Sequence, residues 1–212
     1  MSTKVEKMKQ LLIILLTIAC FFSKTQAQST FKGGIVFGMN ASQINGDNSA
    51  GYNKFGLTGG VQVSIVTSEI KYWTTGIFYS ERGSRSRAFE TGGVPWTIRL
   101  PYIEVPFMFN IKDWKSDDSE DAFYRMHAGL GLSYGRLFNP KASTFSPWLG
   151  REQYFRKNNI SWVAEATLFS NAHFGIGMRY TRDIARIFQK NVNVNSDPLI
   201  GHFITLRGLY VF

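Results

Sequence analysis

Cysteine is nearly missing from this chain. Cys20 is the single one, so no disulfide can staple the fold within the chain and no thiolate cluster can hold a metal. Histidine is scarce as well: His127, His173 and His202 are all there are, and no two of them stand at a metal-ligand spacing. Apolar runs long enough to cross a bilayer as a helix, about 20 residues, are absent too. The run at the N-terminus is shorter. Leu11 to Phe22 is apolar in character, preceded by Lys4, Lys7 and Lys9 and followed by Thr25-Gln26-Ala27, with small residues where a signal peptidase reads. That is the composition of a cleavable export signal. The expected plan is a signal peptide over 1–27 and one domain over 28–212. Lipidation at Cys20 is disfavoured because Leu16 stands one position too far from it. Cleavage after Ala27 would remove the cysteine with four lysines and one glutamate, lowering the formal charge from +9 to +6. So modest a basic excess on an exported chain fits anionic lipid headgroups better than nucleic acid.

Alternation is what the rest of the chain has in plenty. Phe31, Ile35, Phe37 and Met39 share one parity against Lys32, Gly34, Gly38 and Asn40. The same two-residue period recurs from Phe55 to Ile65, from Ile103 to Ile111, from Tyr124 to Tyr134, from Ile160 to Leu168, from Phe174 to Tyr180 and from Ile204 to Phe212. A further strand is expected near Lys71 to Gly83, where the facing is ambiguous. A period of two marks strands whose faces meet different surroundings, and eight segments of roughly ten residues match tilted strands across a membrane. Connectors alternate as well. Segments 43–53, 84–98, 137–159 and 184–200 are long and polar, whereas 67–70 and 170–172 are tight. Long loops on one rim and short turns on the other belong to outer-membrane barrels. The acidic run Asp117-Asp118-Ser119-Glu120-Asp121 reads as a solvated turn, with Ca²⁺ binding as the minor alternative.

Period alone does not say whether the apolar rows face lipid or one another, since a soluble periplasmic ligand-binding barrel alternates in the same way. Three features point to lipid. The polar rows are rich in glycine, as a crowded interior demands. Aromatics gather near strand ends, with Trp73, Tyr124, Phe174, Tyr210 and Phe212 toward one rim and Tyr79, Tyr134, Trp162 and Tyr180 toward the other. Charges on the apolar rows, namely Arg99, Arg136 and Arg182, fall only at ends. The polar rows instead hold Lys32, Glu104, Arg125, His127, Glu165, Arg179 and Arg207, expected to form a lumen charge network in which Glu104 pairs with Arg125 and Glu165 with Arg179. An eight-stranded barrel has room only for its side chains, so no open pore is expected. The fold class is thus all-β: an eight-stranded antiparallel up-and-down transmembrane β-barrel behind a signal peptide, addressed to the cell outer membrane.

The runs Phe31 to Ser42, Gly51 to Gly56, Tyr79 to Gly83 and Tyr102 to Pro106 resemble the PorT-like outer-membrane β-barrel family. So does the closing Phe212, which is similar to the terminal aromatic read by barrel-insertion machinery. The resemblance covers most of the chain after the leader and implies the same barrel. The family's name member is associated with a secretion and gliding apparatus, which implies envelope or secretion-complex proteins as partners. It supplies no catalytic residue.

Two classes of function compete on the residues. A barrel enzyme that modifies lipid A, as an acyl hydrolase or transferase, would need His127 beside Ser133 and an acid such as Glu104 or Glu165. A non-enzymatic barrel would act through its external loops, and 137–159 mixes aromatics with cations: Trp148, Arg151, Tyr154, Arg156 and Lys157 are the candidate external binding residues, for lipopolysaccharide phosphate or a protein. The second reading is preferred, with no cofactor and no metal expected.

Overall fold

The computed structural model describes residues 30–47, 49, 51–88, 92, 94–116, 122–189 and 198–212. The expected leader, Cys20 and the acidic run 117–121 lie outside the described residues.

Nine strands form in chain order: β1 Phe31–Asn45, β2 Lys54–Val66, β3 Lys71–Arg85, β4 Thr97–Lys115, β5 Tyr124–Leu137, β6 Lys141–Ala142, β7 Asn158–Phe169, β8 Phe174–Asp183 and β9 Ile200–Val211. All pairings are antiparallel. Setting aside the two-residue β6, each strand pairs with its neighbour in sequence, and β1 pairs with β9 from Gly34↔Val211 to Asn45↔Ile200. The last pairing turns a meander into a closed barrel of eight strands with no free edge, the only sheet that satisfies every backbone polar group inside a bilayer. β6 pairs with the start of β4 through Ile98↔Ala142 and Arg99↔Lys141.

Facing follows parity around the barrel. Ile35, Phe37, Leu57, Val61, Ile77, Val105, Phe107, Leu130, Leu132, Ile160, Ile176, Met178 and Leu206 are all exposed on the outside, while Asn40, Thr58, Ser80, Asn110, Ser161, Thr181 and Thr205 are buried within. An apolar exterior over a polar interior inverts the arrangement of a water-soluble protein and is the condition for standing in hydrocarbon. β3, whose facing the pattern leaves open, turns Thr74, Phe78 and Ser80 inward and Trp73, Ile77 and Tyr79 outward. Outer aromatics pack at the rims, Trp73 stacking on Phe107 at 4.9 Å and Trp162 lying 5.1 Å from Tyr180.

Two strands reach further than expected. β3 runs on to Arg85 and β4 starts at Thr97, so 84–85 and 97–98 of the expected loop 84–98 are strand. At the other end β4 continues to Lys115, which pairs with Tyr124 and shortens the expected 112–121 turn.

Inward glycines let the wall bend tightly. A Cβ on Gly131 would sit 2.1 Å from the Phe107 carbonyl oxygen and 2.8 Å from the Met108 Cα, whereas one on the outward Gly208 would meet nothing nearer than 3.8 Å. Gly131→Ala should therefore cost about 1–3 kcal/mol, the usual range for overpacking, while Gly208→Ala should be close to neutral. Urea unfolding of both variants in lipid vesicles checks the contrast.

Candidate functional site

The lumen is stacked in layers, from the long-loop rim to the short-turn rim. Topmost is an apolar core above the outer aromatic ring. Ile44, Ile98, Leu100, Tyr102 and Leu137 project inward from the strand ends, and the loops contribute Trp96, Trp148, Phe155, Ile187, Phe188 and Leu199. The loops are tied together by backbone: the Arg156 N–H donates to the Ile187 carbonyl, Gln189 N–H to Tyr154 and Ile187 N–H to Leu199, and Phe155 bridges Phe188. The long loops thus form a packed cap.

This corrects one expectation. Trp148 is 5% exposed, with Phe188 5.3 Å from its ring, and is a core residue of the cap. An apolar ring of that size finds more to bury against in the cap than in water. Arg151 and Tyr154 are half-buried around the short 3₁₀ turn Glu152–Tyr154, and of the five candidates only Arg156 and Lys157 are fully exposed.

Below the cap lies the first charged layer. Arg82 of β3 donates through Nε to Glu104 Oε1 at 2.8 Å and through Nη1 to Asp183 Oδ1 at 3.3 Å. Its guanidinium stacks between the rings of Tyr102 and Phe203, at 4.7 and 4.1 Å. Asn159 and Ser161 also donate to Asp183, at 2.6 and 2.8 Å. Beside this layer, at the wall, Glu81 accepts from Lys54 at 2.6 Å and from Arg99 at 2.6 Å. A hydroxyl and amide chain crosses the barrel next to it: Thr205 donates to Asn40 Oδ1 at 2.7 Å, and Asn40 Nδ2 to Ser80 Oγ at 2.9 Å.

The second charged layer centres on Glu165, whose Oε2 receives Arg179 and Arg207, each at 2.6 Å. The expected pair of Glu165 and Arg179 is present. The expected pair of Glu104 and Arg125 is not: Glu104 stands opposite Gly135 and takes Arg82, while Arg125 follows Tyr124 at the short-turn rim and donates to Ser116 at 3.2 Å. The antiparallel register separates the two by most of the strand length. Arg82 and Asp183, which pattern reading passed over, complete the balance. One arginine faces two carboxylates in the first layer and two arginines face one in the second. Glu104, Arg179 and Arg207 line one void of about 10 Å³ between the layers, so the opposite imbalances face each other. Parity was the missed signal for Asp183, since it continues the inward row of Arg179 and Thr181.

Under the charges Val36, Phe78, Phe169 and Leu209 form a smaller apolar layer. His127 stacks against Phe169 at 4.3 Å, and its Nδ1 lies 2.8 Å from the Tyr72 hydroxyl. Ser133 sits six residues further along β5, opposite Pro106 and Ser161, whereas His127 is opposite Lys112 and Thr167. The serine, histidine and glutamates considered for acyl transfer are therefore not brought together. His173 bonds the Val211 carbonyl at a turn, and His202 lies edge-on to Tyr52. Among the described residues no group of three His, Cys, Asp or Glu could hold a metal ion.

Lys32 lies at the short-turn mouth, where the lumen opens as a cleft of about 390 Å³ lined also by Lys112, Tyr72 and His127. In the adjoining turn, hydrogen bonds from the Tyr124 hydroxyl at 2.7 Å and from Lys115 at 3.2 Å hold the Glu69 carboxyl below its usual range.

No family model and no curated protein matches the chain. Among solved structures, Ail, the attachment invasion locus protein of Yersinia pestis, is 13% identical, with 87% of this chain and 100% of that one covered at a TM-score of 0.46. Neisserial surface protein A is 9% identical, with 87% and 98% covered at 0.43, and outer membrane protein AlkL is 13% identical, with 89% and 94% covered at 0.38. The strand count, closure and outward apolar rows rest on this chain's own register, and they make it a small, closed, eight-stranded β-barrel of the membrane-spanning kind.

Proposed function

We propose that the chain is a PorT-like outer-membrane barrel, exported by its N-terminal signal, that conducts nothing, catalyses nothing and works by presenting its capped loop face to envelope or secretion-complex proteins. The observation that supports this reading is the filled lumen. Apolar cap, two ionic layers and an apolar floor leave interior voids of about 10 Å³ each among the described residues, room for about one water. A barrel so packed offers its ends and not its bore. In an outer membrane the short turns face the periplasm and the long loops the exterior, so the cap is the outer face. It carries exposed Phe145 and Leu149 beside Arg156 and Lys157, a mixture suited to protein or to lipopolysaccharide phosphate.

Photocrosslinkers placed at Phe145 and Lys157 in intact cells test this. Discrete crosslinked proteins are expected from both sites, and none from Leu130 on the lipid-facing wall. Crosslinking to lipid alone would leave a purely structural barrel. Acyl-ester hydrolysis of lipid A by the purified protein, abolished by His127→Ala, would overturn the non-enzymatic reading.

A further inference from the structure

The cleft at the short-turn mouth is unlike the rest of the lumen, because it is open and roomy and has more lysines than carboxylates among its described lining residues. Its volume of about 390 Å³ falls within the ~300–1,000 Å³ of small-molecule sites. Three lysines line it, Lys32, Lys112 and Lys115, against one carboxylate, Glu69. Glu69 already accepts from Lys115 and Tyr124. Among the described residues neither Lys32 nor Lys112 has a carboxylate at ion-pair distance, and the Lys112 ammonium rests over aromatic faces, 5.5 Å from Tyr72 and 5.9 Å from Tyr124. The same cleft is lined by half-buried Phe123 and Val211, packed against the buried Phe169 and Leu209.

We infer that this mouth is a binding site for an amphiphilic anion, whose acid group is held by Lys32 and Lys112 and whose apolar body lies against Phe123 and Val211, over the Phe169 and Leu209 floor. The charge argument selects the anion. Two ammonium groups with no ion-pair partner among the described residues, beside low-dielectric wall, attract a carboxylate or phosphate more strongly than they would in bulk water. The apolar argument selects the body, since the half-buried Phe123 ring and Val211 side chain gain by being covered. A fully polar anion would leave that surface wet, and a neutral apolar molecule would leave the lysines uncompensated.

The test uses the whole barrel in lipid nanodiscs with 4-phenylbutyrate as probe, read by titration calorimetry against empty nanodiscs. Saturable binding is expected, with the neutral 4-phenylbutyramide at least tenfold weaker. The double variant Lys32→Ala, Lys112→Ala should lose binding by a similar factor, while Arg85→Ala on the opposite rim binds as before. Equal binding of acid and amide, or no binding beyond empty nanodiscs, would overturn the proposal. The acid and amide comparison needs only the unaltered protein, so it decides the matter even if the double variant does not fold. Nanodiscs of zwitterionic and of anionic lipid separate two sources of the anion. Unchanged binding supports a free ligand, and competition by the anionic lipid supports a headgroup in the same site. Occupation of the lysines by the chain's own 117–121 carboxylates would abolish probe binding in both lipids and sink the proposal.

Discussion

Glu165→Ala should be the most damaging single substitution in the barrel, costing about 3–5 kcal/mol, the range for removing one partner of a buried ion pair. Glu165 Oε2 is the shared acceptor of Arg179 and Arg207, and both guanidiniums are buried deep in the lumen. Arg207 depends on it most, because its Nε and Nη1 find no hydrogen-bond partner among the described residues. Without the carboxylate, two like charges face each other with no counter-ion in their own layer. Glu104→Ala removes a carboxylate of similar burial and yet should cost less, since Arg82 keeps Asp183 at 3.3 Å. The order of the two losses is the informative quantity, and reversible unfolding into lipid vesicles measures it. Equal losses would mean that the layers are not organised around separate counter-ions.

The second large effect lies on the other side of the wall. Leu130 stands mid-strand in β5, 66% exposed, beside Phe109 of β4 and Ala164 of β7. Exposure of that degree would be unremarkable in water for a small polar group and costly for leucine; in hydrocarbon it costs nothing. Leu130→Arg should therefore destabilise the barrel by about 2–4 kcal/mol, and Tyr134→Arg, near the rim, by only about 0–1 kcal/mol. The natural outward arginines obey the same depth rule. Arg99 sits at the long-loop end and pairs with Glu81, and Arg136 bonds Asn158. Loss of the heat-modifiable gel shift in Leu130→Arg alone is the simplest readout. Equal tolerance of arginine at both positions would mean that Leu130 does not face lipid.

Strand number, parity and closure were legible because lipid and lumen impose opposite demands on alternate residues, and in seven of the eight barrel strands the residues obey them. β3 is the exception for a physical reason: Ile77 faces out and Phe78 faces in, so the lumen's apolar floor erases the contrast that parity reading depends on. The cap was hidden for a related reason. Above the aromatic ring the strand interiors turn apolar, with Ile98 and Leu100 fully buried, and a loop has no period to reveal that Trp148 turns inward. Charge pairing was half legible. Glu165 and Arg179 are directly cross-strand partners, whereas Glu104 stands opposite Phe78 of β3 and takes Arg82 four residues further along that strand, a diagonal contact that alternation does not reveal. The short-turn cleft was not legible at all, because Lys32, Lys112 and His127 converge only after eight strands close.

Central to the account is which row meets hydrocarbon, and nitroxide accessibility asks that directly. In a Cys20→Ser background, single cysteines at Phe107, Leu130 and Ile176 are spin-labelled in a reconstituted bilayer, with Lys157 as the aqueous reference. Collisions with oxygen, which concentrates in lipid, should dominate at the three wall sites, and collisions with a water-soluble nickel chelate at Lys157. Nickel collisions at Leu130 as frequent as at Lys157 would contradict it.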